Sequence, residues 1–245
     1  MNRRRIKVEE KGVDKVRILH KTSGREYVRR PDVAEFQAAL NGRLVESFAK
    51  PELHVVDGNM TSAVKHVELE SHHISTTARG GEVLELRLRI LQHEARISVF
   101  YEIYPDLPGA SKWLEFHCLG EELHISKLFF EALSACAGSF KDATFYRRQG
   151  AVPAAAAFAC NDEDILQLHN HDLDAGLWFG SGAPGRMRFY MAYPNWPQGV
   201  SCGYAMDAPV FNVYLRRGET FTTDKAYLLL YEGSQEEPVS RNQLR

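Results

Sequence analysis

The chain has 245 residues, 44% hydrophobic and 25% charged, with 30 Lys plus Arg against 32 Asp plus Glu. This is the make-up of a folded globular protein, and it excludes a disordered chain, a collagen-like fibre and a disulfide-stapled miniprotein. A formal charge of −2 carries no sign of the concentrated basic patch a nucleic-acid binder needs, so no nucleic-acid partner is expected.

The N-terminus opens on Arg3, Arg4 and Arg5 and then runs into Lys7, Glu9, Glu10 and Lys11. A secretion signal would place an apolar stretch there, so export by a standard signal is not expected, and the basic triplet reads as a solvated end. No run approaches the roughly 20 apolar residues that cross a bilayer, and no membrane partner is expected. Weak strands are predicted at 15–20, 25–29 and 64–75, with Lys21-Thr22-Ser23-Gly24 as a turn between the first two. Between them, 32–40 predicts a short helix: Asp32 can cap it, and Val33, Phe36, Ala39 and Leu40 have helical spacing.

Alternation then dominates. In 82–90, Leu84, Leu86, Leu88 and Ile90 share one face while Glu85, Arg87 and Arg89 share the other, as in a half-buried strand. Ile97, Val99, Tyr101 and Ile103 repeat the pattern after a Gln92-His93-Glu94 turn, so the two runs predict a hairpin. Pro105 and Pro108 end the second strand because each lacks a backbone donor. The stretch 112–118 resumes with Leu114, Phe116 and Cys118 inward, and after Gly120-Glu121-Glu122 the next strand carries Leu123, Ile125, Leu128 and Phe130. Ala-rich 154–160 predicts a buried strand of small residues. Further strands are predicted at 186–193, 210–215 and 226–231.

Strands separated by turns every 8 to 12 residues argue for a sandwich or barrel. Without long helices between them a parallel α/β fold is disfavoured. A single antiparallel sheet of so many strands would curl or split, and two large packed sheets solve that problem. The expectation is an all-β domain over 1–233 with very little helix, followed by a polar tail or linker over 234–245. The four cysteines, Cys118, Cys136, Cys160 and Cys202, form no C-x-x-C pair. Reduced, mostly buried thiols in a cytoplasmic protein are expected.

The P-loop, G-x-S-x-G, H-E-x-x-H and dinucleotide motifs are all missing from the sequence. The densest polar cluster runs from Gln167 through His169, Asn170, His171 and Asp172 to Asp174. On a strand, His169 and His171 share a face and could meet one metal, but the third ligand would have to come from elsewhere. Neither a metal nor another cofactor is expected. Trp178 follows the cluster, and Trp196 stands in the rigid Tyr193-Pro194-Asn195-Trp196-Pro197 loop. Aromatic faces beside polar side chains suit a small ligand such as a sugar. The candidate ligand-binding residues are therefore His169, Asn170, His171, Asp172, Trp178, Arg186, Arg188, Asn195 and Trp196. The competing reading makes these tryptophans plugs of the core. Glycoside hydrolysis usually needs two facing carboxyl groups; Glu102 and Glu115 lie beside aromatics on predicted strands, and no pair can be assigned.

The segment Tyr101-Glu102-Ile103-Tyr104-Pro105-Asp106-Leu107-Pro108, followed by Lys112-Trp113-Leu114-Glu115-Phe116, resembles the N-terminal β-supersandwich domain of α-galactosidase-like glycoside hydrolases of the family 36 type. Gly120-Glu121-Glu122, Ser23-Gly24-Arg25-Glu26-Tyr27 and Gly218-Glu219-Thr220-Phe221 add to the resemblance, which spans about 12–233 and implies a galactose mutarotase-like supersandwich fold. In that family the sandwich precedes a (β/α)8 barrel carrying both catalytic aspartates, and such a barrel needs about 250 residues. The resemblance therefore implies a carbohydrate-associated domain without its own catalytic centre, binding or shaping a sugar site alone or beside a barrel. The partners expected are carbohydrate, a catalytic barrel domain or a second copy of the chain. The alternatives are a mutarotase-like sugar epimerase or a hydrolase, which would bring His169 or His171 together with Glu102 in a groove, and a protein-interaction or dimerisation module. The catalytic residues of mutarotase have no counterparts that can be assigned in this sequence.

Overall fold

The alternation of 82–90 becomes a strand because Leu86, Leu88 and Ile90 are buried on one face while Arg87 and Arg89 stay exposed on the other. The computed structural model describes residues 3–9, 12–19, 23–27, 34–47, 55–56, 59–60, 66–105, 107, 109–133, 137–147, 150–156, 158–161, 163, 165–184, 188–193, 199–204 and 211–233. The structural statements below concern these residues.

In chain order, β1 (Arg3–Glu9) and β2 (Gly12–Leu19) form a hairpin. β3 (Gln37–Leu40) and β4 (Arg43–Glu46) begin the smaller of two large sheets, and β5 (Val55–Val56) pairs with β6 (Asn59–Met60). β7 (Val67–Thr76), β8 (Glu82–Ile90), β9 (Ala95–Ile103) and β10 (Gly109–Cys118) form a meander in the larger sheet. β11 (Glu122–Leu133) belongs to the smaller sheet, and a 3-10 turn at Phe140–Asp142 leads to β12 (Ala143–Arg147) and β13 (Gly150–Pro153) of the larger one. β14 (Phe158–Asn161) joins the smaller sheet, and β15 (Ile165–Asn170) and β16 (Ala175–Ser181) return to the larger. β17 (Arg188–Tyr193), β18 (Gly199–Tyr204) and β19 (Val213–Arg216) complete the smaller sheet, and β20 (Thr220–Thr222) and β21 (Ala226–Glu232) complete the larger.

The larger sheet has ten strands, ordered β13-β12-β15-β16-β21-β10-β9-β8-β7 with β20 beside β10. The smaller has seven, ordered β14-β17-β18-β11-β3-β4 with β19 beside β11. Every described pairing is antiparallel. One hydrophobic core lies between the sheets, with Leu88, Ile97, Leu114 and Phe116 from the larger meeting Leu40, Ile125, Leu128 and Phe130 from the smaller. This is the expected all-β two-sheet sandwich. Burying each such side chain contributes about 1.5–3 kcal/mol, and together they commit the alternating strands to one face.

Three local expectations change. The predicted helix over 32–40 is in part strand β3; Asp32 and Val33 lie outside the described residues. Ala38 and Leu40 are buried against the core and β3 takes up a ladder with β11, which a marginal one-turn helix cannot match. The Ala-rich 154–160 is a turn at 154–156, and strand begins at Phe158. Within 25–29, Glu26 makes an isolated bridge rather than part of a strand. One irregularity in the sequence also finds its cause. Leu123 and Ile125 fall on odd numbers and Leu128 and Phe130 on even ones, yet all four are buried; a register shift between Ile125 and Lys127 absorbs the extra residue.

Lys112 shares the inward phase with Leu114 and Phe116, and the fold surrounds it accordingly. Its Nζ donates to the Glu35 backbone carbonyl and lies 3.2 Å from Glu35 Oε2 and 3.4 Å from Glu131 Oε1. Tyr101 donates its hydroxyl to Glu35 Oε2 at 2.7 Å.

Candidate functional site

β15, β16 and β21 are neighbours in the larger sheet. Leu166, Leu168, Leu177, Phe179, Leu228 and Leu230 of these strands face the core. Alternation therefore sends Gln167, His169, Gly176, Trp178, Leu229 and Tyr231 to the outer face. The cross-strand register sets His169, Gly176 and Tyr231 in one row and Gln167, Trp178 and Leu229 in the next.

Gly176 has no side chain, so its two neighbours in the row close over it. The His169 and Tyr231 rings stack with centroids 5.9 Å apart and planes 8° apart, and His169 Nδ1 lies 2.9 Å from the Tyr231 hydroxyl. Gln167 donates its amide N–H to that hydroxyl at 2.6 Å. The phenol thus bridges the amide and the imidazole, and which of the hydroxyl and Nδ1 donates is set by the His169 tautomer. Nε2 stands 3.7 Å from Asp174 Oδ1. Burial and the neighbouring His171 hold His169 below the usual histidine range against the opposing pull of Asp174, which favours the neutral ring. Burial likewise pushes the Tyr231 phenol up.

His171 is exposed, with its ring 5.1 Å from that of His169 and its Nε2 2.9 Å from Thr144 Oγ1. Asn170 is on the opposite phase and buried. It donates to the Ser139 carbonyl at 3.1 Å and accepts from the Leu173 amide at 3.0 Å, which holds the turn that presents Asp172 to solvent. Trp178 is half-buried, 5.9 Å from the Tyr231 ring. It lines a cleft of about 270 Å³ with Ile165, Tyr227 and Leu229, while its indole N–H is buried and has no hydrogen-bond partner among the described residues. An aromatic wall and an unspent donor beside a fixed polar network can hold a small ligand.

The other candidates stand elsewhere. Arg188 lies on β17 of the smaller sheet, opposite Tyr204 in the ladder. Arg186, Asn195 and Trp196 lie outside the described residues. Glu102 accepts from Tyr104, Ser111 and Lys225 at 2.9, 3.3 and 2.7 Å. Lys225 also covers one face of Trp113 at 4.3 Å, and Phe100 stacks at 4.9 Å on that ring, so this group is closed. Glu115 pairs with His117 at 2.9 Å. Four ladder steps separate His169 on β15 from Glu102 on β9, about 19 Å at the usual strand spacing; the two do not share a groove. Among the described residues no group of three or more His, Cys, Asp or Glu side chains is placed to hold a metal ion, and no helix is long and apolar enough to cross a membrane.

Sequence reasoning missed Gly176 and Tyr231. The run 226–231 reads as an apolar core strand, but its period of two already put Tyr227, Leu229 and Tyr231 on the phase opposite to Leu228 and Leu230.

No family model matches this sequence, and no curated protein matches it. Solved structures do share its fold. The family 36 α-galactosidase AgaA from Geobacillus stearothermophilus superposes with a TM-score of 0.64 at 12% identity, over 95% of this chain and 40% of its own. The α-galactosidase from Lactobacillus brevis gives 0.63 at 11%, over 95% and 38%. A TPR-domain containing protein from Parabacteroides distasonis gives 0.56 at 14%, over 91% and 46%. The chain spans less than half the length of each of these proteins, and at such identities the likeness is one of fold. It bears out the resemblance to the sandwich portion of α-galactosidase-like hydrolases.

Proposed function

We propose that this chain is a non-catalytic carbohydrate-associated domain that binds or shapes a sugar site at the Trp178 cleft. The observation that carries the reading is the half-buried Trp178 ring on a cleft of about 270 Å³, with its indole N–H unpartnered among the described residues. A pyranose stacks on such a ring and can take up the unspent donor after a small side-chain rotation. His171 and Asp172, exposed on the turn beside it, supply further bonds to hydroxyls. The shared fold with portions of two α-galactosidases supports the same class of ligand; the partner in this reading is a catalytic barrel or a second copy of the chain. The free, buried thiol of Cys118 fits a reducing compartment such as the cytoplasm.

The enzymatic alternative, a mutarotase-like epimerase or a hydrolase, needs an acid and a base on opposite sides of one bond. The spacing of His169 and Glu102 favours binding over that chemistry.

Calorimetric titration of the folded protein with a panel of mono- and oligosaccharides tests the reading. Binding that falls at least tenfold in Trp178→Ala is the expected result. A folded protein that binds no sugar in the panel would overturn it.

A further inference from the structure

A second aromatic surface lies on the opposite side of the sandwich. Leu123 and Ile125 of β11 and Leu215 of β19 face the core, so Glu122, His124, Tyr214 and Arg216 face outward. The register pairs His124 with Tyr214 and Glu122 with Arg216. His124 and Tyr214 stack with centroids 4.3 Å apart and planes 4° apart. His124 is itself fixed: its Nε2 lies 2.8 Å from Asn212 Oδ1, and its backbone N–H donates to Asn41 Oδ1 at 2.8 Å.

Tyr214 nevertheless remains 63% exposed. One face of the phenol is spent on His124. The other points away from β11, over a strand that pairs with no other strand among the described residues. An exposed tyrosine is ordinary, but one held upright against an anchored imidazole has already lost the rotamer freedom that binding would otherwise cost. One ladder step further, Glu122 and Arg216 join Glu121 and Arg217 around a shallow depression of about 550 Å³. On the outer face, then, Asn212 lies before Tyr214 in the chain and Glu122 and Arg216 form the next outward pair along the ladder, an amide, a carboxylate and a guanidinium that can bond hydroxyls.

We infer that Tyr214 is the platform of a second saccharide site, separate from the Trp178 cleft and on the other sheet. The C–H face of a pyranose lies on the open face of Tyr214, and Asn212, Glu122 and Arg216 bond its hydroxyls. The ligand class is a neutral oligosaccharide, because acidic and basic side chains alternate around the depression and favour neither sign of charge. The inference shares with the preceding reading only the premise that the domain meets carbohydrate.

The test is titration of the isotopically labelled full chain with raffinose and with cellobiose, followed by backbone amide shifts. Saturable shifts at Glu122, His124 and Tyr214 are expected with at least one of the two. Tyr214→Ala should weaken them at least tenfold, Tyr214→Phe should stay within twofold, and Trp178→Ala should leave them unchanged. Shifts confined to the Trp178 cleft would overturn this site and leave the first standing; shifts confined to β19 would do the reverse. Absence of shifts at both would overturn both. A concentration-dependent dimer abolished by Tyr214→Ala, without sugar shifts on β19, would make the face a protein contact and overturn the saccharide site.

Discussion

Lys112 and Glu35 form an ion pair of 3.2 Å between the two sheets, with side-chain exposures of 1% and 0%. Two ions are removed from water there, and the ion pair repays that cost only while every partner stays in place. Glu131 lies 3.4 Å from the same ammonium, so Lys112 is shared by two carboxylates.

Lys112→Ala should therefore destabilise the fold by about 3–5 kcal/mol, the range for removing one partner of a buried ion pair. Urea unfolding measures it. Replacing the cluster as a unit, with Lys112→Met, Glu35→Gln and Glu131→Gln together, should cost much less than the single change.

Gly176→Ala should disrupt the outer-face network and displace the β15 backbone at Leu168, which packs in the core. A methyl group at Gly176 would overlap the Leu168 carbonyl and the Tyr231 ring, so Tyr231 must leave Gln167 and His169. A loss of about 1–3 kcal/mol is expected from the polar groups left unsatisfied. The Trp178 fluorescence should change with it, read in a background where the other two of the three tryptophans are replaced by Phe.

The depressed His169 has a definite pH signature. Its pKa lies below the ordinary 6.5 in the folded protein, so the unfolded chain binds the extra proton first as pH falls. Its contribution to stability is complete above 6.5 and is lost as pH drops from there through the folded-state value. Unfolding free energies measured from pH 8 to pH 5 should show this decline, and His169→Gln should flatten it.

Glu102 titrates with the same sign in a lower window. Burial raises its carboxyl, but hydrogen bonds from Lys225, Tyr104 and Ser111 outweigh that and hold it below the usual carboxylate range. The stabilisation is present above the unfolded-state value and is lost as pH falls through the folded one. Glu102→Gln should reduce the acid sensitivity of the fold below pH 5 and free Lys225 from its place over Trp113, seen as a shift in tryptophan emission.

Much of the architecture was legible in advance. Strands β8, β9 and β10, with their inward faces, follow from alternation alone, because exposure every second residue is a property of a short segment. Lys112 lies on the same inward phase as Leu114 and Phe116 but was not read as buried, because its partners are remote: Glu35 and Glu131 lie 77 and 19 residues away. The helix expected over 32–40 failed at β3 because its fate depends on β11, a distant strand that offered it a ladder. Among the candidate site residues, His169, His171 and Trp178 do gather on one face, whereas Asn170 turns inward to hold a turn and Arg188 belongs to the other sheet.

What local pattern decided, then, is that this is a two-sheet β sandwich and which side chains enter its core. What only the assembled sheets decided is which outward side chains become neighbours. His169 and Tyr231 are 62 residues apart, and they meet because β21, from the end of the chain, inserts beside β16 at a glycine. Burial selects a face residue by residue, but ladder order is chosen by the packing of the whole, and the site is made by that order.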